Sequence, residues 1–125
     1  MPIPKITDAV GRDAVRRALA TVADRDTEAT AVRYLLQLLA EEAPGNSVEV
    51  RIPPFGAIQC IEGPGHTRGT PPNVVEMDAV AWLAIATGGD EWITVLSQGR
   101  ISASGSRADL SQYLPIRWDR TDRGQ

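Results

Sequence analysis

The sequence is short of almost everything that carries covalent or metal chemistry. It holds one cysteine, Cys60, and one histidine, His66. A single thiol excludes an intrachain disulfide and any multi-cysteine metal site. Lysine occurs once, at Lys5, against twelve arginines, and one phenylalanine with two tyrosines leaves little to line a wide aromatic cavity. No apolar run approaches the roughly eighteen residues of a membrane span. The opening MPIPKITDAV also lacks the apolar stretch of a secretory leader. Charge of one sign is missing too. Residues 1–50 carry six basic and eight acidic side chains, residues 51–125 carry seven and eight, and the net charge is −3. With no basic block, nothing neutralises a nucleic-acid backbone or holds an anionic bilayer. The expectation is a protein of the reducing cytoplasm with no nucleic-acid partner, no integral membrane segment, no metal and no cofactor.

What remains is an ordinary globular composition, 42% hydrophobic and 23% charged over 125 residues. That suits one domain with one core, over residues 1–118, followed by a mobile charged tail at 119–125. The first third reads as helical. Val15, Leu19 and Val22 form a stripe between about Asp8 and Asp24. After the DRDT interruption, Thr27 is placed to cap a second helix whose buried face carries Val32, Leu35, Leu36 and Leu39. Arg33, Gln37, Glu41 and Glu42 fall mostly outside that face, and APGN at 43–46 ends the helix.

The middle of the chain changes period. Val48, Val50 and Ile52 alternate with Glu49 and Arg51, the pattern of a half-buried strand. PPFG follows as a turn in which Gly56 is free to take positive φ, and AIQCIE resumes as the second arm of an antiparallel hairpin. Ile58 and Cys60 then share the buried face and Gln59 points outward. VVEM at 74–77 is a third strand. Asp78 caps the helix AVAWLAIAT, the glycines at 88–89 stop it, and a short helical turn covers about Glu91 to Gln98. Residues 100–104 read as a strand. Ser106 and Asp109 have capping-box spacing for a last helix carrying Leu110 and Leu114, closed by Pro115.

The segment GPGHTRGTPPN at 63–73 is the one stretch that looks chemical. Its glycines, at 63, 65 and 69, fit neither the dinucleotide fingerprint nor the Walker A loop, and Pro71-Pro72 leads into a strand instead of a helix. His66 and Cys60 are too few for a closed zinc site. As a nucleophile Cys60 needs an electropositive, partly open setting, whereas the alternation buries it. His66 lacks a partner to act as base, so a loop-bridging role fits it better. The adjacent acids Glu41-Glu42 and Asp90-Glu91 read as solvated, Glu76 falls on the open face of a strand, and Asp78 and Asp109 read as caps.

The segments VVEMDAVAWLAIATG and GRISASGSRADLSQYLP together resemble the type-2 sterol carrier protein superfamily. The resemblance rests on Trp82, Leu83, Ile85, Thr87 and Gly88 in the first and on Gly99, Arg100, Ile101, Gly105, Leu110 and Leu114 in the second. It is nearest to the short stand-alone versions found in actinobacteria. It implies an α+β fold: a small twisted antiparallel or mixed sheet of four to five strands covered on one side by helices. An apolar tunnel would lie between the layers, holding a sterol, fatty acid, acyl-CoA or phospholipid. The pocket so implied is lined by Val50, Ile58, Val75, Met77, Trp82, Ile85, Val95, Ile101, Leu110 and Leu114, with His66 and Arg68 at its rim. Trp82 stands nearest the ligand. The function implied is non-catalytic binding of a lipid or other apolar small molecule, with a transient membrane or protein partner left open. Two alternatives stay beside it: an interaction or regulatory module whose core is filled by its own side chains, and an accessory subunit of an enzyme using His66 and Arg68.

Overall fold

The computed structural model describes residues 5–63 and 73–119. It opens with two helices, α1 (Asp8–Ala20) and α2 (Arg25–Glu42). Each starts where an oxygen-bearing side chain meets an orphan helix N–H. Thr7 Oγ1 accepts from the Val10 N–H at 3.3 Å, and Asp24 Oδ1 accepts from the Thr27 N–H at 2.7 Å. The cap of α2 is therefore Asp24, three residues before the expected Thr27; the carboxylate takes the very N–H that Thr27 supplies.

The expected stripe on α1 is also corrected. The helix stops at Ala20, and its buried residues are Gly11, Ala14 and Val15. Leu19 is 49% exposed and Val22, beyond the helix end, 97% exposed. Gly11 decides which face packs, because its missing side chain lets the Tyr34 ring of α2 lie against the α1 backbone. The Tyr34 hydroxyl then reaches Asp8 Oδ1, to which it donates at 2.6 Å.

The sheet has four strands among the described residues, in the order β2-β1-β3-β4. They are β1 (Val48–Ile52), β2 (Gly56–Cys60), β3 (Val74–Glu76) and β4 (Ser102–Ser104). The β1–β2 hairpin is antiparallel in the register Val48↔Cys60 to Ile52↔Gly56, β1 runs parallel to β3, and β3 antiparallel to β4. The sheet is mixed, and with the helices it makes the α+β architecture expected. Alternation decides its faces: Val48, Val50 and Ile52 are buried, whereas Glu49 and Arg51 are only half covered and pair with one another. Gly56 is the first residue of β2 and does not take positive φ, because the Phe55 N–H to Ile52 carbonyl bond closes the turn before it.

Between β3 and β4 lie α3 (Ala79–Thr87) and α4 (Trp92–Ser97). Asp78 Oδ1 accepts from the Ala81 N–H at 2.8 Å, and Gly88 ends α3 at φ 88°, the left-handed conformation that glycine takes at least cost. The last expected helix is absent. After β4 the chain bends and makes one 3-10 turn, Ser111–Tyr113. Asp109 Oδ1 accepts from the nearby Ser111 N–H at 2.8 Å, a local turn that competes with a capping box. Leu114, held extended before Pro115, cannot continue a helix. Leu110 is nonetheless fully buried, and the Ile116 N–H donates to the Ala86 carbonyl at 2.8 Å, pinning this segment to α3.

Two buried polar side chains tie the base of the sheet. Ser47 Oγ donates to the Ile61 carbonyl at 2.6 Å, and Asn73 Nδ2 to the Ser47 carbonyl at 2.8 Å. Asn73 Oδ1 in turn accepts from the Arg107 N–H at 2.9 Å. Ile61 sits between them at φ 66°, a costly conformation for a β-branched side chain. Its N–H bond to the Ala43 carbonyl and its twice-used carbonyl hold it there.

Candidate functional site: a groove between the second helix and the edge strand

On α2, Arg33, Leu36, Gln37, Ala40 and Glu41 recur at intervals of three and four and so form one stripe. That stripe faces the start of β2, an edge strand, and the N-terminal segment that precedes α1. Together these elements enclose a groove of about 550 Å³, within the size range of small-molecule sites. Its floor is apolar, built by Ile6, Leu36, Ala40, Phe55, Ala57 and Ile58.

The polar groups at its margin are mutually engaged. Gln37 Oε1 accepts from the Ile6 N–H and Gln37 Nε2 donates to the Ile6 carbonyl, both at 2.9 Å, as a neighbouring strand would. Arg33 Nε donates to the Phe55 carbonyl at 2.7 Å. The Arg25 guanidinium lies 5.4 Å from the centre of the Phe55 ring, and Lys5 Nζ meets Glu41 Oε2 at 2.9 Å. The floor therefore makes no demand for a polar partner, and its chemistry favours an apolar ligand. Gly56 deepens the groove: a Cβ there would stand 3.7 Å from Arg33 Cγ and from Leu36 Cδ1, in ordinary contact.

The residues expected to line a pocket are distributed unequally. Val50, Val75, Met77, Trp82, Ile85, Val95, Ile101 and Leu110 are all buried in the core. Trp82 is fully enclosed, its Nε1 donating to the Val32 carbonyl at 3.3 Å. Ile58, half-buried, lines the groove. Ile85 and the half-buried Leu114 line a second concavity of about 410 Å³ beside Trp92 and Pro115. His66 and Arg68, the expected rim, lie outside the described residues.

Sequence reasoning placed Arg33, Gln37 and Glu41 on the solvent side of α2 and missed that they flank a cavity. The available signal was Ala40, a small residue between them, and Gly56 opposite.

Cys60 is buried, and burial pushes its thiol up to about 11. It stays protonated and unreactive at neutral pH. Among the described residues no three His, Cys, Asp or Glu side chains cluster to hold a metal, and no helix is long and apolar enough to cross a membrane.

Comparison with known proteins gives one family. Residues 24–116, from the cap of α2 to the strand-like segment after the 3-10 turn, match the family described as bacterial SCP ortholog. No curated protein matches.

Proposed function

The chain belongs to this sterol-carrier-like family, bacterial SCP ortholog, and from that premise we propose that it binds a lipid chain or similar apolar small molecule in the groove between α2 and β2. The observation that carries the reading is the groove's composition: an apolar floor of ligand size whose marginal Gln37, Arg33 and Lys5 already have protein partners. Binding then draws on buried apolar area, at about 25 cal/mol per Å² before ordering costs. It needs no ionised, nucleophilic or metal-bound group. Of the residues expected to line a pocket, Ile58 is the one that also lines this groove.

The test is uptake of a fluorescent long-chain fatty acid by the wild type and by Gly56→Val. Valine suits a strand, and its methyl groups project toward Arg33 and Leu36, where they fill the groove. The wild type is expected to bind the probe and the variant to bind at least ~10-fold more weakly, a loss of about 1.4 kcal/mol. Equal affinity in both proteins, or no adduct with fatty acid by native mass spectrometry of the wild type, would refute the reading. Trp82→Ala is the wrong probe, since emptying so buried a site costs ~3–5 kcal/mol of stability and confounds binding with unfolding.

A further inference from the structure

Helix α3 is apolar all the way round: AVAWLAIAT holds no charged residue. A helix of that kind is normally covered on every side. Here Ala81, Trp82, Ile85 and Ala86 face the core, but Val80 on the other side is 62% exposed. Val80 and Leu83 join Leu19 and Val22, at the end of α1, along a groove of about 460 Å³. Exposed aliphatic side chains gathered in one concavity mark an interaction surface more than a chance of composition.

The electrostatics of the groove select its occupant. Glu28 and Asp90 stand in its wall; among the described residues no basic side chain lines it and neither acid forms an ion pair. The C-terminal turns of both helices also open into it, at Thr21 and at Thr87–Gly89. Helix C-termini carry partial negative charge. The basic residue in the last turn of α1, Arg17, is turned to Asp13 at 3.7 Å. A second copy laid groove to groove would oppose carboxylates with carboxylates, and an anionic bilayer would be repelled.

We propose that this groove docks a basic amphipathic helix of a partner protein, its aliphatic face against Leu19, Val22, Val80 and Leu83 and its lysines or arginines toward Glu28 and Asp90. The surface is separate from the groove between α2 and β2, shares no lining residue with it, and stands whether or not that groove takes lipid.

The probe is a fluorescein-labelled synthetic helix with leucines on one face and lysines on the other, paired with a glutamate counterpart of identical pattern. Fluorescence anisotropy is expected to show binding of the lysine peptide only, weakened several-fold between low and high salt. Val80→Ser with Val22→Ser should weaken it at least ~10-fold. Glu28→Lys with Asp90→Lys should exchange the preference, losing the lysine peptide and gaining the glutamate one. Thermal unfolding of the charge-exchanged protein, followed by circular dichroism against the wild type, is the folding control. Binding of the lysine peptide undiminished in both double variants would overturn the proposal. So would failure to bind either peptide, wild-type dimerisation abolished by Val80→Lys in light scattering, or co-sedimentation with phosphatidylglycerol vesicles that Val80→Ser removes.

Discussion

Gly11 and Cys60 show how much single positions decide here. A methyl group on Gly11 would overlap the carbons of the Tyr34 ring, so α1 could not stay where it is. Alanine in a helix is otherwise favourable, yet Gly11→Ala is expected to cost ~2 kcal/mol through overpacking and to lower Tm by roughly 5–10 °C in calorimetry. An unchanged or higher Tm would mean that the helices can separate freely.

For Cys60 the prediction concerns pH. Burial pushes the folded thiol from its ordinary value of 9.0 up to about 11, so the native state keeps a proton that the unfolded state gives up. Stability from this group is complete below the unfolded value and is lost as pH rises between the two. Urea unfolding across that window should show a decline that Cys60→Ala removes. At pH 8 the folded thiol should stay inert to a disulfide reagent that labels it in urea.

Among the elements, α3 is the one whose ends were both written locally, in Asp78 and Gly88. Asp78→Ala leaves the Ala81 N–H without its acceptor and should cost ~1 kcal/mol. Gly88→Ala puts a side chain at positive φ and should cost at least as much, ~1 kcal/mol or more. Chemical denaturation of the two single variants checks both, and an unaltered midpoint would contradict the cap assignments.

The same locality explains which elements could be read from sequence. The β1–β2 hairpin, the α3 caps and the buried face of α2 all rest on alternation or on neighbours within four residues. The final helix failed because Asp109 had two local partners to choose from and Pro115 barred the register that Leu110 and Leu114 implied. The α1 stripe failed for another reason. Gly11 has no hydrophobicity to count, yet its emptiness, felt only through Tyr34 from a different helix, chose the packed face.

At the scale of the molecule, the family match and the helix-covered mixed sheet agree with what the segments at 74–88 and 99–115 resembled. The position of the candidate site did not follow from that resemblance. Val75, Trp82 and Leu110, expected to line a pocket, are buried in the core. The groove instead needs α2, β2 and the N-terminal segment brought together, a juxtaposition of residues 6, 36 and 58 that no local pattern contains. Its polar margin was legible only as a solvated helix face until Gln37 was seen bonded to Ile6 and Arg33 to Phe55.

Amide chemical-shift mapping during titration with a long-chain fatty acid tests the central claim most directly. The account predicts that the largest shifts fall at Leu36, Ala40 and Gly56–Ile58, at the groove between α2 and β2, and that Gly56→Val abolishes them. Largest shifts around Trp82, Ile85 and Leu114 instead, or no saturable shift anywhere, would contradict it.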